Sequence, residues 1–328
     1  MKIFITGASG FIGGAITQHL QSTHEIVAMA RSRQSAEKVL ALGAHAVDCS
    51  LTTVKPDHLV GCQAVIHTAA FVSPTGSRSQ FWQANVEGTK RLLAAACVAR
   101  VPRFIHISSE AVLFQGQDMV NIDESYPYPK KTPYLYPKTK AEAERQVLAA
   151  NDPESGFSTI ALRPRMVWGP GDNTILPTVT QMAQNGGFYW FNKGQAQTST
   201  THIENVVHAI EMTLKSRANG RPYFITDGEI WTIKDFLTAY AATQNITLPD
   251  RSLPAGPMKL IGRLIGGIWR RLGLKSDPPL TEYAVALMAA HCTLKIDKAR
   301  EELGYQPVIS ITEGLAKMKI NSNTDNTD

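Results

Sequence analysis

"MKIFITGASGFIGGAI", residues 1–16, opens the chain, with Gly7, Gly10 and Gly13 spaced G-x-x-G-x-x-G directly behind an apolar run. A glycine at 7 permits a tight turn with positive φ. One at 10 lets the backbone approach a pyrophosphate, and one at 13 lets the next helix pack closely on the strand. That helix would turn free N–H groups and the positive end of its dipole toward phosphate. A glycine turn alone can simply join strand to helix. Here it lies between a predicted strand (2–5) and a helix with apolar positions Ile12, Ile16 and Leu20, which is the context of a dinucleotide site.

The same alternation runs outward. "HEIVAMAR", "AHAVDCS", "CQAVIHTAA", "PRFIHISS" and "STIALRP" read as strands. "SAEKVLAL", "FWQANVEGTKRLLAAACVAR" and "YLYPKTKAEAERQVLAAN" read as helices. This predicts an α/β fold, a doubly wound parallel sheet of Rossmann type covered on both faces. A chain of 328 residues exceeds one compact domain, and the alternation loosens after "WGPGDN". We expect a dinucleotide-binding domain over 1–168 and a smaller α/β substrate domain mainly over 169–320, some of whose segments return to the first sheet. A polar, disordered tail is expected over 321–328.

Apolar residues at 43% and charged ones at 19% describe a globular chain with ample core. The net charge of +5 is too small an excess to argue for nucleic acid. Cys49, Cys62, Cys97 and Cys292 form no C-x-x-C pair, so neither zinc nor a disulfide framework is implied, and free thiols in a reducing cytosol are expected. Met1 leads straight into a strand, so no signal peptide is expected, and no apolar run reaches spanning length. A cytoplasmic protein is expected.

In NAD sites an acidic residue ends the second strand and takes the ribose hydroxyls. "IVAMARSRQ" places Arg31 there, flanked by Ser32 and Arg33. A guanidinium matches a phosphate with two parallel hydrogen bonds, so NADP is the preferred cofactor and NAD stays open. Arg31 also reads as a solvated residue stacking on the adenine. Asp48 would contact the adenine amino group or cap a turn.

"YLYPKTKAEAE" carries Tyr136 and Lys140, four apart and so on one helical face. An ammonium beside a phenol lowers the phenol's pKa, and a phenol so tuned exchanges a proton with a substrate hydroxyl or carbonyl. "HISSEAV" brings Ser108 and Ser109 to the carboxyl end of a strand, where open α/β sheets bind ligands.

Together "TGASGFIGG", "VIHTAA", "NVEGT", "FIHISSEAV", "YPKTKAE" and "LRPRMVWGPGD" resemble, in order and rough spacing, the extended short-chain dehydrogenases/reductases. The resemblance covers nearly the whole chain. It implies a Ser-Tyr-Lys catalytic set: Ser109, counted back from Val112, with Ser108 as the fallback; Tyr136 as acid/base; and Lys140 holding the nicotinamide ribose and lowering the Tyr136 pKa. It also implies a cofactor lined at the glycine loop by Ser9, Phe11 and Ile12, and at the adenosine end by Arg31, Ser32, Asp48 and Cys49. Thr68, Ala69, Ala70, Ile107 and Val167 would also line the cofactor, with Pro164 near the nicotinamide and Asn85 as a structural or relay residue. Dimers of this family often use the helices "WQANVEGTKRLLAAACVAR" and "YPKTKAEAERQVLAA", so a homodimer is implied.

Nucleotide-sugar epimerases of the family carry an Arg-Asp pair where "TSTTHIENVVHA" has Thr198 and Ser199, and without that guanidinium a diphosphate loses a charge-assisted contact. "LRPRMVWGPGD", "HIENVVHAI" and "TLKIDKAREELGYQPVISITEGL" resemble instead the 3β-hydroxysteroid dehydrogenase branch, which implies hydride transfer at a secondary alcohol or ketone on an apolar, sterol-like or long-chain skeleton. An epimerase or dehydratase of nucleotide sugars is the alternative, and a non-catalytic nucleotide sensor a third reading. The segment 257–275, "PMKLIGRLIGGIWRRLGLK", puts Ile261, Leu264 or Ile265, Ile268 and Leu272 on one helical face, with Lys259, Arg263, Arg270 and Arg271 largely elsewhere. It reads as a peripheral membrane contact, an apolar lid, or a helix packed on its own domain.

Overall fold

A computed structural model describes residues 1–73, 76–272, 274 and 278–324, and its fifteen strands and twelve α-helices are numbered here in chain order. Seven short apolar runs form the main sheet: β1 (Lys2–Thr6), β2 (Glu25–Ala30), β3 (His45–Asp48), β4 (Ala64–His67), β5 (Arg103–Ile107), β7 (Ser158–Pro164) and β12 (Arg221–Ile225). Their order is β12-β7-β5-β4-β1-β2-β3, and every neighbouring pair is parallel. Alternate residues are apolar on both sides: Ile3, Ile5, Ile26 and Ala28 face one layer, Phe4, Val27, Met29 and Val65 the other. Helices α1 (Phe11–Leu20), α2 (Arg33–Ala41) and α7 (Ile203–Lys215) contribute to the first layer. Helix α4 (Gly88–Val98) packs with α5 (Leu135–Ala149) on the second. This is the doubly wound parallel sheet that the alternation predicts.

The chain leaves β1 toward β2 and β3, then returns to the other side of β1 for β4. Such a reversal opens a crevice at the carboxyl ends of the two strands. The helix expected over "FWQANVEGTKRLLAAACVAR" is not uniform. Helix α3 (Arg78–Phe81) runs into a π-helical stretch, Trp82–Glu87, before α4 begins.

A second lobe holds a four-stranded sheet ordered β13 (Trp231–Thr232), β10 (Gln197–Thr198), β15 (Cys292–Leu294) and β6 (Met119–Ile122). Two small ribbons pair β8 (Val167–Trp168) with β11 (Thr201–His202), and β9 (Trp190–Phe191) with β14 (Ser252–Leu253). Helices α6 (Ile175–Gln184), α8 (Ile233–Ala242) and α12 (Ile311–Thr324) enclose Trp168, Phe188, Trp190, Phe236 and Tyr240. Helix α9 (Ala255–Leu272) packs on α10 (Glu282–Ala289), and α11 (Asp297–Leu303) rests on β12. The lobes exchange strands: β12 closes the edge of the main sheet from beyond residue 168, while β6 joins the small sheet from before it. Helix α12 runs to Thr324, so the first residues of the tail expected at 321–328 are helical. The rest of that tail, 325–328, and positions 273 and 275 of the amphipathic segment lie outside the described residues.

Candidate active site

The turn after β1 is as tight as its sequence implies. Gly7 has φ +75°, and a Cβ on Gly13 would lie 2.2 Å from the Gly7 carbonyl oxygen. Gly10 precedes α1 with no side-chain cap and no acid in the first turn, so the N–H groups of that turn are left for an anion. These observations fit a dinucleotide pyrophosphate. Gly13→Ala is expected to cost about 1–3 kcal/mol of stability by overpacking and to weaken any dinucleotide binding by moving the turn. Thermal unfolding and fluorescence titration measure the two effects, and a variant unchanged in both would contradict the close packing.

Thr68, Ala69 and Ala70 lie in the loop after β4. The Thr68 hydroxyl donates to Thr6 O at 2.7 Å, and Ala69 N donates to the Thr6 hydroxyl at 3.2 Å, so this loop is tied to the one that carries the glycines. Ser9, Phe11 and Ile12 are partly buried around the turn. At the end of β2, Arg31 is exposed and has no ion-pair partner among the described residues, whereas Arg33 is held by Glu37 at 2.9 Å. The Ser32 hydroxyl caps α2, accepting from Ser35 N at 3.2 Å, so it is already engaged. Asp48 ends β3 in solvent, and burial pushes the thiol of the next residue, Cys49, up to about 11.

Beyond β5, Ser108 is buried and Ser109 starts a single 3-10 turn, Glu110–Leu113, by accepting from Ala111 N at 3.1 Å. Tyr136 sits in the first turn of α5, its phenol facing the Ser109 hydroxyl. The Ser109 hydroxyl also donates to Glu110 Oε2 at 2.7 Å. Lys140 is 2% exposed and donates to Ile107 O at 2.7 Å, with His106 Nε2 3.4 Å away. Burial lowers its pKa to about 8.

The structure corrects one expectation here. The Tyr136 phenol is pushed up rather than down, first by burial and then by the Glu110 carboxylate, with the neighbouring Ser109 hydroxyl acting the other way. The Lys140 ammonium is turned to a backbone carbonyl instead of the phenol. Beneath it, His106 and His67 stack with ring centroids 5.1 Å apart, and burial holds both neutral; His67 is pinned between the Thr6 and Thr89 hydroxyls.

Asn85 lies within the π-helical stretch and is 2% exposed. Its Oδ1 accepts from Phe71 N at 2.6 Å, and its Nδ2 donates to Phe71 O and to Thr139 Oγ1, each at 3.1 Å. It thereby ties the loop beyond Ala70 to α5. Pro164 ends β7, and Val167 begins β8, which pairs with β11 of the second lobe.

Two site residues escaped the sequence reading. Glu110 and Arg165 form a buried ion pair, Nη1 to Oε1 2.5 Å, and Arg165 Nε donates to Thr198 Oγ1 at 2.9 Å. A guanidinium therefore does lie beside Thr198, but it is neutralised by Glu110. Tyr283 of α10 faces the same pair and Tyr136, and it packs on Tyr134 with centroids 5.0 Å apart. The available signal was a charged residue in each of "ISSEAV" and "LRPRMVW", otherwise uncharged runs apart from Arg163 of β7.

The description "3-beta hydroxysteroid dehydrogenase/isomerase family" matches residues 4–254. The chain is 36% identical over 323 residues, 97% of itself and 96% of its relative, to a 4-hydroxy-2-methyl-3-oxo-4-farnesyl-3,4-dihydroquinoline-1-oxide ketoreductase of Stigmatella aurantiaca. It is 31% identical to a 2-alkyl-3-oxoalkanoate reductase of Stenotrophomonas maltophilia (strain K279a), covering 98% and 99% of the two chains. Among solved structures, a UDP-glucuronic acid 4-epimerase from Bacillus cereus in complex with NAD superposes with a TM-score of 0.74 at 19% identity over 99% of each chain, a likeness of fold.

Proposed function

Since the chain belongs to the 3-beta hydroxysteroid dehydrogenase/isomerase family, we propose that it is an NADP-preferring reductase or dehydrogenase that interconverts a ketone and a secondary alcohol on an apolar, sterol-like or long-chain skeleton. The observation that carries this reading is the gathering of Ser109, the Tyr136 phenol that faces it and the buried Lys140 beyond the carboxyl end of β5, at the same end of the sheet as the glycine turn. The two relatives named for ketone reduction support the reaction class.

Gly7, Gly10 and Gly13 would cradle the pyrophosphate and Arg31 the 2′-phosphate; when bound, the dinucleotide supplies the hydride. In the direction of reduction, Tyr136 delivers its phenolic proton to the ketone oxygen. Ser109 turns its hydroxyl proton from Glu110 toward the same oxygen and orients it. Lys140, anchored on Ile107 O, keeps its other ammonium protons for ribose hydroxyls. In oxidation the Tyr136 proton returns along the same path. The paired helices α4 and α5, with Val98 70% exposed, would supply the interface of a homodimer.

The test is NADPH consumption with apolar ketones graded by chain length, and binding of NADPH against NADH. Arg31→Ala is expected to weaken NADPH binding by about tenfold to a hundredfold, the worth of charge-assisted bonds to one phosphate, and to leave NADH binding nearly unchanged. Equal affinity for the two cofactors in the unaltered protein would overturn the NADP preference. Absence of turnover across the ketone panel, with cofactor bound, would overturn the reaction.

A further inference from the structure

Helix α9 carries one broad apolar arc, of which only one edge is covered. Its inner stripe, Ala255, Met258 and Gly262, packs toward α10, and Gly262 approaches so closely that a Cβ there would lie 2.7 Å from Glu282 N. On the rest of the arc Leu260, Ile261, Leu264, Ile268 and Leu272 stand 42–66% exposed. Other exposed large apolar residues, such as Val60, Val98 and Val120, are set far apart in sequence. Burying one edge explains a helix packed on its own domain; it does not explain the exposed stripe.

Charge identifies what the exposed stripe fits. The eighteen residues Ala255–Leu272 contain no Asp or Glu. They carry Lys259, Arg263, Arg270 and Arg271. At 100° per residue, Lys259 and Arg263 fall on one flank of the exposed stripe, beyond its Leu260 edge, and Arg271 falls within it. Lys259, Arg263 and Arg271 have no ion-pair partner among the described residues. Among those residues no helix is long and apolar enough to cross a membrane. A helix with Leu and Ile on one side, cations along its border and no acids lies in the interface of an anionic bilayer. A second copy of the same helix would bring cation against cation.

We propose that α9 docks the protein on an anionic phospholipid surface, its Leu260, Leu264 and Ile268 side chains entering the acyl boundary while Lys259, Arg263 and Arg271 meet lipid phosphates. Helix α10, seated directly on α9, carries Tyr283 beside Tyr134 and Tyr136. Docking therefore sets the catalytic lobe next to the phase in which an apolar ketone dissolves. That last consequence rests on the oxidoreductase reading, whereas lipid binding does not and is measured without turnover.

The experiment is sedimentation of the full chain with vesicles of phosphatidylcholine, alone or with phosphatidylglycerol. Binding is expected to the anionic vesicles and to weaken with salt. Leu260→Ser/Leu264→Ser/Ile268→Ser is expected to lower that affinity at least about tenfold through lost apolar burial. Lys259→Gln/Arg263→Gln/Arg271→Gln is expected to lower it on the order of a hundredfold, about fivefold per cation. Both variants should keep their melting temperature and their activity on a short, water-soluble ketone. Three results would overturn the proposal: no binding of the unaltered protein to anionic vesicles; a serine variant that binds them equally well; or a serine variant whose oligomeric state changes in sedimentation velocity, which would make a second copy the occupant.

Discussion

On the proposed mechanism, Tyr136→Phe is expected to lower kcat for ketone reduction by about a hundredfold to ten-thousandfold, the range for loss of a positioned acid, with dinucleotide affinity nearly intact. The ring keeps its place in the first turn of α5, so the variant removes only the hydroxyl that faces Ser109. The unaltered enzyme should show a matching pH dependence. Burial and the Glu110 carboxylate raise the Tyr136 pKa. The phenol therefore stays protonated through neutral pH, and its contribution to reduction fades only as pH climbs toward that raised value. Alcohol oxidation needs the phenolate and rises over the same alkaline interval. Pre-steady-state and steady-state rates in both directions measure this. Turnover that survives in the Phe variant would remove Tyr136 from the mechanism.

Breaking the Glu110–Arg165 pair is expected to cost about 3–5 kcal/mol of stability, because either single truncation strands a charge in the interior. Arg165 is 1% and Glu110 4% exposed, and the guanidinium has Thr198 as its other polar contact. Arg165→Ala and Glu110→Ala should each lower the denaturation midpoint. Glu110→Leu/Arg165→Met should recover most of the loss, since a buried pair replaced by apolar side chains of similar volume is often neutral or better. Urea unfolding decides this, and a single variant within about 1 kcal/mol of the parent would show the pair to be dispensable. Glu110→Gln separates a second effect. Removing the carboxylate's charge lowers the Tyr136 pKa, so the alkaline limb of reduction should move to lower pH. That shift is a readout that mere destabilisation would not produce.

Legibility tracked distance along the chain. The glycine turn and the alternation of apolar strands are local, so residues 2–67 disclosed the doubly wound sheet and its crevice. Spacing of four put Tyr136 and Lys140 on one face of α5. It could not say that Lys140 would find the Ile107 carbonyl, because that acceptor comes from β5 across the layer. The π-helical stretch Trp82–Glu87 was hidden by its own pattern, since a widened turn inside a helix barely disturbs apolar periodicity. Strands of two to four residues, such as β6, β10 and β13, are too short to show alternation. Glu110 and Arg165 stand 55 positions apart, and no local rule joins them.

The exchange of strands between the lobes also sets an order of events during synthesis. The glycine turn leaves the ribosome well before β12, and β7 pairs with β12 over Arg221 to Ile225. Until β12 emerges, β7 is an apolar parallel edge open to any passing strand. A fragment stopped at residue 168 would carry that edge permanently, together with β6 deprived of β15. Such a fragment is expected to aggregate rather than fold as a free-standing nucleotide-binding module. The first half of this chain holds most of the proposed site, yet it depends on the second half to become a finished surface.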